Sequence, residues 1–256
     1  MIAKFLGRRA RGATRGASAV PDKERIYAIG DIHGRLDLLD KLLAMIEAEE
    51  AAYGGPATLL LLGDLVDRGP QSAQVVERVM GLEASRPPGT VRCILGNHEE
   101  VFLAAVQGDE RAFRFFTKIG GCETILSYGV TDSEYRDLDY PALMQRMQEL
   151  VPAKHIEFLS RFEDLIVVGD YAFVHAGIRP EEPLARQKSK DLRWIRDDFL
   201  NYRGALEKVV VHGHTISDEV EDHSHRIGLD TGAYASGKLT AMGFEATNRW
   251  IVQAVL

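Results

Sequence analysis

Residues 26–34 read Ile26-Tyr27-Ala28-Ile29-Gly30-Asp31-Ile32-His33-Gly34, an apolar run closed by a glycine-bracketed acid and histidine. Four consecutive apolar residues ending at a glycine predict a buried strand. Leu36, Leu39, Leu42, Leu43 and Ile46 follow at helical spacing, so a helix should run to about Ala52, where Tyr53-Gly54-Gly55-Pro56 stops it. The same rhythm then repeats twice. Thr58 to Leu62 is a second apolar run, ending in Gly63-Asp64-Leu65-Val66-Asp67-Arg68-Gly69, with a helix expected from Gln71 to Ala84. Val91 to Leu95 is the third, ending in Gly96-Asn97-His98-Glu99, where another helix should begin just after Asn97. This β-α-β-α-β order predicts a parallel sheet with helices packed outside it.

Beyond this core the pattern changes. Residues 108–160 are polar and mostly helical, interrupted by Gly120-Gly121 and Tyr140-Pro141, and read as a helical insertion. Strand signals return at Leu165 to Val168, Tyr171 to Val174, Val209 to Val211, Arg226 to Leu229, Leu239 to Phe244 and Ile251 to Val255. The second half should therefore be richer in antiparallel hairpins. A chain of 256 residues suits one large domain, expected over 23–256, and 45% hydrophobic residues suffice for a sizeable core.

Charge is unevenly distributed. Residues 1–21 hold Lys4, Arg8, Arg9, Arg11 and Arg15 and no acidic residue but the formal total is −7, which leaves −12 on the remainder. An acidic body excludes a general nucleic-acid surface, because a phosphate backbone needs a basic face. The head, 1–22, reads as a disordered solvated tail; weak adhesion to an anionic membrane or a targeting role are the alternatives. No apolar run reaches the length of a bilayer span. Two cysteines, Cys93 and Cys122, form neither a disulfide framework nor a metal-ligand pattern. They fit a reduced, cytoplasmic chain.

Each glycine-bracketed motif follows a strand, and the carboxyl ends of neighbouring parallel strands converge on one crevice. Asp31 and His33, two apart in an extended turn, can point to the same side. Asp64 and Asn97 follow the next two strands, while His175 and His214 follow Tyr171 to Val174 and Val209 to Val211. The resulting oxygen and nitrogen ligand set suits Mn, Fe or Zn better than Ca. Six candidate ligands exceed what one catalytic ion needs, so two divalent ions are expected, with Asp64 as the natural bridge. Their surplus positive charge would attract a phosphate and acidify a shared water. His155 reads as a surface or packing residue, His212 as lying beside the site, and His223-Ser224-His225 as a solvated turn.

The order of these motifs, with His175-Ala176-Gly177 and Gly213-His214 added, resembles the calcineurin-like metallophosphoesterases, and within them the bacterial and phage-type phosphoprotein phosphatases. The resemblance runs from Gly30 to about Gly237. It implies an α/β fold of two mixed sheets in a sandwich flanked by helices, with a dinuclear site at the strand ends. It also implies that Asp31, His33 and Asp64 hold one metal, Mn above all, and that Asp64, Asn97, His175 and His214 hold the other. Arg68 would grip the phosphoryl oxygens, Arg196 would be a second phosphate-binding arginine, and His98 would protonate the leaving group, oriented by Asp67. Attack would be in line, by a bridging hydroxide, without a phospho-enzyme. Ile216 stands where many relatives outside the phosphatase branch carry a further histidine.

These residues lead to the expectation of a phosphomonoesterase acting on phosphoserine or phosphothreonine in proteins. Hydrolysis of a dinucleoside polyphosphate such as diadenosine tetraphosphate is the alternative. That sister group shares the His-Ala-Gly and Asp230-Thr231-Gly232 segments. Asp67 and Glu99 tilt the reading towards the phosphatases, because the sister group often lacks the first and has Asp in place of the second. A scaffold that has lost activity would be expected to lack a ligand, and none is missing. Substrate identity, the native metal and oligomeric state are not legible in the sequence.

Overall fold

The structure, a computed structural model, describes residues 18–256. Its first half alternates β1 (Arg25–Ile29), α1 (Leu36–Tyr53), β2 (Thr58–Leu61), α2 (Ser72–Ser85), β3 (Val91–Cys93) and α3 (Asn97–Val106). Helix α1 forms because Leu38, Leu39, Leu42, Leu43 and Ile46 share one buried face. It stops at Gly54, whose φ of 89° lets its N–H reach Glu50 O. Five helices follow: α4 (Glu110–Ile119), α5 (Gly121–Ser127), α6 (Asp132–Asp137), α7 (Tyr140–Leu150) and α8 (Ala153–Leu159).

The second half contains β4 (Leu165–Val168), β5 (Tyr171–Val174), α9 (Ser189–Trp194), α10 (Asp197–Leu200), β6 (Val209–His212), β7 (Glu221–Asp222), β8 (Arg226–Gly228), α11 (Ala233–Ser236), β9 (Lys238–Glu245) and β10 (Asn248–Val255). Two mixed sheets result, ordered β10-β9-β1-β2-β3 and β4-β5-β6-β8-β7. The chain is therefore an α/β sandwich of two mixed sheets flanked by helices. Strand alternation divides the core into layers. Tyr27 and Ile29 face α1 and its neighbours, whereas Ile26 and Ala28 face Phe173, Val211 and Ile227 of the opposite sheet. On the far side of that sheet, Ala172, Val174 and Val210 pack against Leu192 and Phe199.

The second half is richer in antiparallel pairing than the first, as expected: β4–β5, β7–β8 and β9–β10 are antiparallel hairpins and β9 pairs antiparallel with β1, while β5 pairs parallel with β6 and β6 parallel with β8. An apolar run carries no record of strand direction, and the 30-odd residues between β5 and β6 leave ample length for a parallel return. Of the segment expected as a tail, residues 18–22 fall among the described residues. Val20 is buried and bonds Ala246 O through its N–H at 3.0 Å, and Ala19 pairs with Asp170. The basic residues of the head lie outside the described residues.

Candidate metal centre

The parallel strands bring six chain ends to one edge of the sandwich: β1, β2 and β3 from one sheet, β5, β6 and β8 from the other. Asp64 lies between them, almost fully buried. Its Oδ2 is 3.5 Å from His33 Nε2, and its Oδ1 is 3.4 Å from His175 Nε2. Two groups of side chains, His33–Asp64–His98 and Asp64–His175–His214, each place one ligand atom per residue within 4.8 Å of the others, and Asp64 belongs to both. Asn97 joins the second group, its Oδ1 lying 2.9 Å from His175 Nε2. Asp31 enters differently, its two carboxylate oxygens accepting the His214 N–H at 3.2 and 3.0 Å.

The imidazoles are aimed by backbone carbonyls. His33 Nδ1 donates to Val66 O at 2.7 Å, and His175 Nδ1 donates to Leu62 O at 2.8 Å. Each ring therefore turns its Nε2 lone pair inward, the tautomer a metal requires. Burial keeps both rings neutral, lowering His175 and bringing His33 down to about 3. Burial and the neighbouring His175 likewise lower His214 to about 2.

The backbone is bent to suit. His33, Asp64, Asp67, Arg68 and His214 all have positive φ, between 46° and 72°, a conformation that costs a non-glycine residue. The extended turn expected for Asp31–His33 is therefore a left-handed one. Such strain concentrates at working sites. Glycines permit the close packing: a Cβ on Gly63 would lie 2.7 Å from Gly96 N, and one on Gly213 would collide with the Asp31 carboxylate.

Beside this cluster, His98 Nδ1 donates to Asp67 Oδ2 at 2.6 Å. Burial opposes a proton on His98, but Asp64 and Asp67 outweigh it and raise the ring above its ordinary value. The Arg68 fork spans the two groups, its Nη1 and Nη2 each 3.0 Å from Nε2 of His33 and of His98. Arg196 is placed elsewhere. It is exposed at the rim, its nearest bond being 3.4 Å to Thr215 Oγ1, next to His214.

Sequence reasoning gave four contributors no role in building the site. Glu99 is fully buried, and its carboxylate accepts the backbone N–H groups of Asp64, Leu65, Val66 and Gly96 at 2.7 to 3.2 Å, bracing the loop that presents Asp64. Thr124, in α5, accepts the Asp67 N–H and donates to Asp67 Oδ1 at 2.7 Å. Asp230 is buried behind β8; its position after an apolar run, like those of Asp31 and Asp64, was the available signal. Tyr234 stacks over the Arg68 guanidinium at 4.9 Å. Among the other histidines, His155 is buried between Tyr128 OH and Glu77, a packing role, and His212 is buried against Phe199.

The residues fit cations. Burial, then the charges of Asp230 and Asp64, push Asp31 well above the usual carboxylate range, and burial raises Asp230 too. Three crowded buried carboxylates need positive charge beside them. His214 Nε2 and Asp230 Oδ2 are buried with no partner among the described residues. Neutral imidazoles, carboxylates and an amide oxygen form a donor set for a divalent transition metal.

A family profile described as calcineurin-like phosphoesterase matches residues 24–250, and the chain belongs to that family. The family uses a dinuclear metal centre, and the chain is a hydrolase of the phosphoesterase type. One relative is the asymmetrical bis(5'-nucleosyl)-tetraphosphatase PrpE of Bacillus mycoides (strain KBAB4), 27% identical over 239 residues, covering 84% of this chain and 89% of that protein. Another is the symmetrical bis(5'-nucleosyl)-tetraphosphatase of Acidovorax ebreus (strain TPSY), 31% identical over 185 residues, covering 72% of this chain and 51% of that protein. The match thus spans about half the length of the second relative. Among solved structures, one provisionally described as a diadenosine tetraphosphatase superposes with a TM-score of 0.63 at 22% identity, over 93% of this chain and 99% of that one. A cold-active protein-tyrosine phosphatase of a psychrophilic Shewanella gives 0.55 at 17%, over 93% and 83%. Both show the fold alone.

Proposed function

We propose that this chain hydrolyses a dinucleoside polyphosphate, diadenosine tetraphosphate being the substrate to test. The observation that carries this reading is the similarity to PrpE over 84% of the chain and 89% of that relative. It displaces the protein phosphatase reading, which leaned on Asp67 and Glu99. In the fold both residues serve the protein itself: Glu99 braces a loop and Asp67 holds His98. Neither faces a substrate, so neither discriminates a phosphopeptide from a nucleotide.

On this reading Asp31, His33, Asp64, Asn97, His175 and His214 would hold two divalent ions, with Asp64 common to both groups. When bound, such ions would supply Lewis acidity to a phosphoryl group and to the attacking water. Arg68 binds the oxygens of the phosphoryl group under attack with its planar fork, which Tyr234 supports from one face. His98, its Nδ1 proton fixed on Asp67, presents Nε2 to the leaving oxygen and gives it a proton. The leaving group is then a nucleotide rather than an alcohol.

The test is to mix purified protein, Mn²⁺ and diadenosine tetraphosphate and resolve the products by anion-exchange chromatography. Two ADP would mark symmetrical cleavage, AMP with ATP asymmetrical cleavage. Phosphate release from phosphoserine or phosphothreonine peptides, with the dinucleotide left intact, would restore the phosphatase reading.

A further inference from the structure

We propose that Phe115 and Trp194 form a stacking site for one nucleobase, with Arg196 meeting the phosphate chain that leads from it to the metal cluster. The proposal deepens the dinucleoside polyphosphate reading and rests on it for the substrate's identity.

Helix α4 turns Phe113 and Phe116 into the core and leaves Phe115 on its outer face, 43% exposed. That ring stands 6.1 Å from the Trp194 ring, their planes inclined by 36°. Both aromatic residues are tied to the reaction centre. The Trp194 indole N–H donates to Glu100 at 2.6 Å, two residues beyond His98 on α3. The helix bearing Phe115 ends at Gly120, whose carbonyl accepts the Arg68 N–H at 2.9 Å.

From Trp194 the chain passes through buried Ile195 to Arg196, which reaches Thr215 beside His214. Residues 194–196 therefore follow one side of the site, from the His98 helix to the His214 loop. Along them lies a cavity of about 280 Å³ lined by Lys190, Trp194, Ile195, Arg196, Asp197, Asp198 and the Arg179–Asp191 pair. Among the described residues Arg196 forms no ion pair, whereas Lys190 acts on the Asp191 carboxylate. Arg193, next to them, is by contrast bound to Glu100 and Asp164.

Along the cavity three cations, Arg179, Lys190 and Arg196, balance three acids, Asp191, Asp197 and Asp198, so the phosphate chain is met by Arg196 at the end nearest His214 and not by a basic surface. Aromatic faces with an adjacent guanidinium are what a nucleotide requires: a planar ring to stack, and phosphate oxygens to neutralise. A phosphopeptide supplies the phosphate but has no base to stack.

The chain has two tryptophans, so in Trp250→Phe the indole emission comes from Trp194 alone. Titration of that variant with AMP should quench the emission saturably, and ribose 5-phosphate should not. Calorimetry of the wild-type protein with the same two ligands needs no tryptophan change and should show the same preference. Phe115→Ala should weaken AMP binding roughly fivefold or more, and lower the ratio of kcat/KM for diadenosine tetraphosphate over that for a small aryl phosphate by a similar factor. Equal binding of AMP and ribose 5-phosphate, or an unchanged AMP affinity in Phe115→Ala, would overturn the stacking site. Base-dependent binding in a protein that leaves diadenosine tetraphosphate uncut would uphold the site and remove the substrate reading.

Discussion

Asp64 illustrates how much one side chain is asked to do. Its two oxygens face different histidine groups, 3.5 Å from His33 on one side and 3.4 Å from His175 on the other. Asp64→Asn keeps the shape but replaces a shared charged acceptor with a half-donor. It should remove essentially all phosphoesterase activity and reduce bound Mn from two ions to at most one, as read by metal analysis after gel filtration. Glu99 is a different case. It touches no substrate, yet four backbone N–H groups end on its carboxylate. In Glu99→Gln one oxygen becomes an NH₂ group aimed at N–H donors, so buried donors lose their acceptor. Urea unfolding should show a loss of about 2 kcal/mol or more. In the sequence Glu99 served only as a motif position separating two branches of relatives, because burial that serves a loop and burial that serves catalysis use the same residue type.

At the scale of elements, the helical segment after α3 does more than cover the core. Gly120 holds the Arg68 N–H, and Thr124 holds both ends of Asp67. Thr124→Val is nearly isosteric but removes both bonds. It should lower kcat around tenfold or more with KM nearly unchanged, because His98 loses its fixed partner. Strand β6 carries a second testable feature, His212. Burial, with Arg226 beside it, lowers this ring to about 4, below its ordinary value of about 6.5. As pH falls, the unfolded chain binds the proton first. The contribution of His212 is therefore intact above about pH 6.5 and lost on acidification toward about 4. His212→Gln should flatten the fall of the thermal midpoint across that window, measured in EDTA so that bound metal does not contribute.

The legibility of the elements followed their physics. The strands β1, β2 and β3 and the helices α1 and α2 were visible because continuous apolar runs and helical spacing are local properties. The two-residue β7 was not, since Glu221-Asp222 has no apolar signature. The strands β5, β6 and β8 were visible as apolar runs, but their mutual parallel direction was not, because direction is decided by long-range packing. The convergence of Asp31, His33, Asp64, Asn97, His175 and His214 on one edge was legible through their place after strands. The residues that hold them, Glu99, Thr124 and the carbonyls of Leu62 and Val66, act through geometry that spacing does not encode.

For the whole molecule, the centre joins halves far apart in sequence. Asp31, His33, Asp64 and Asn97 come from one sheet, His175 and His214 from the other. Ions held between them would act as a clamp across the sandwich, stabilising only the folded state. Removing metal with EDTA should lower the thermal midpoint by roughly 5 °C or more, and added Mn²⁺ should restore it. No helix among the described residues is long and apolar enough to cross a membrane.

The left-handed residues of the site also set the terms for re-engineering it. His33, Asp64, Asp67, Arg68 and His214 hold φ values that glycine adopts freely and alanine does not. A survey that replaces each by alanine would therefore remove the side chain but keep the strain, and would understate what chemistry costs the fold. His33→Gly should melt higher than His33→Ala, although both are inert. A designer seeking a hardy, inactive carrier from this sandwich would begin with glycine at these positions.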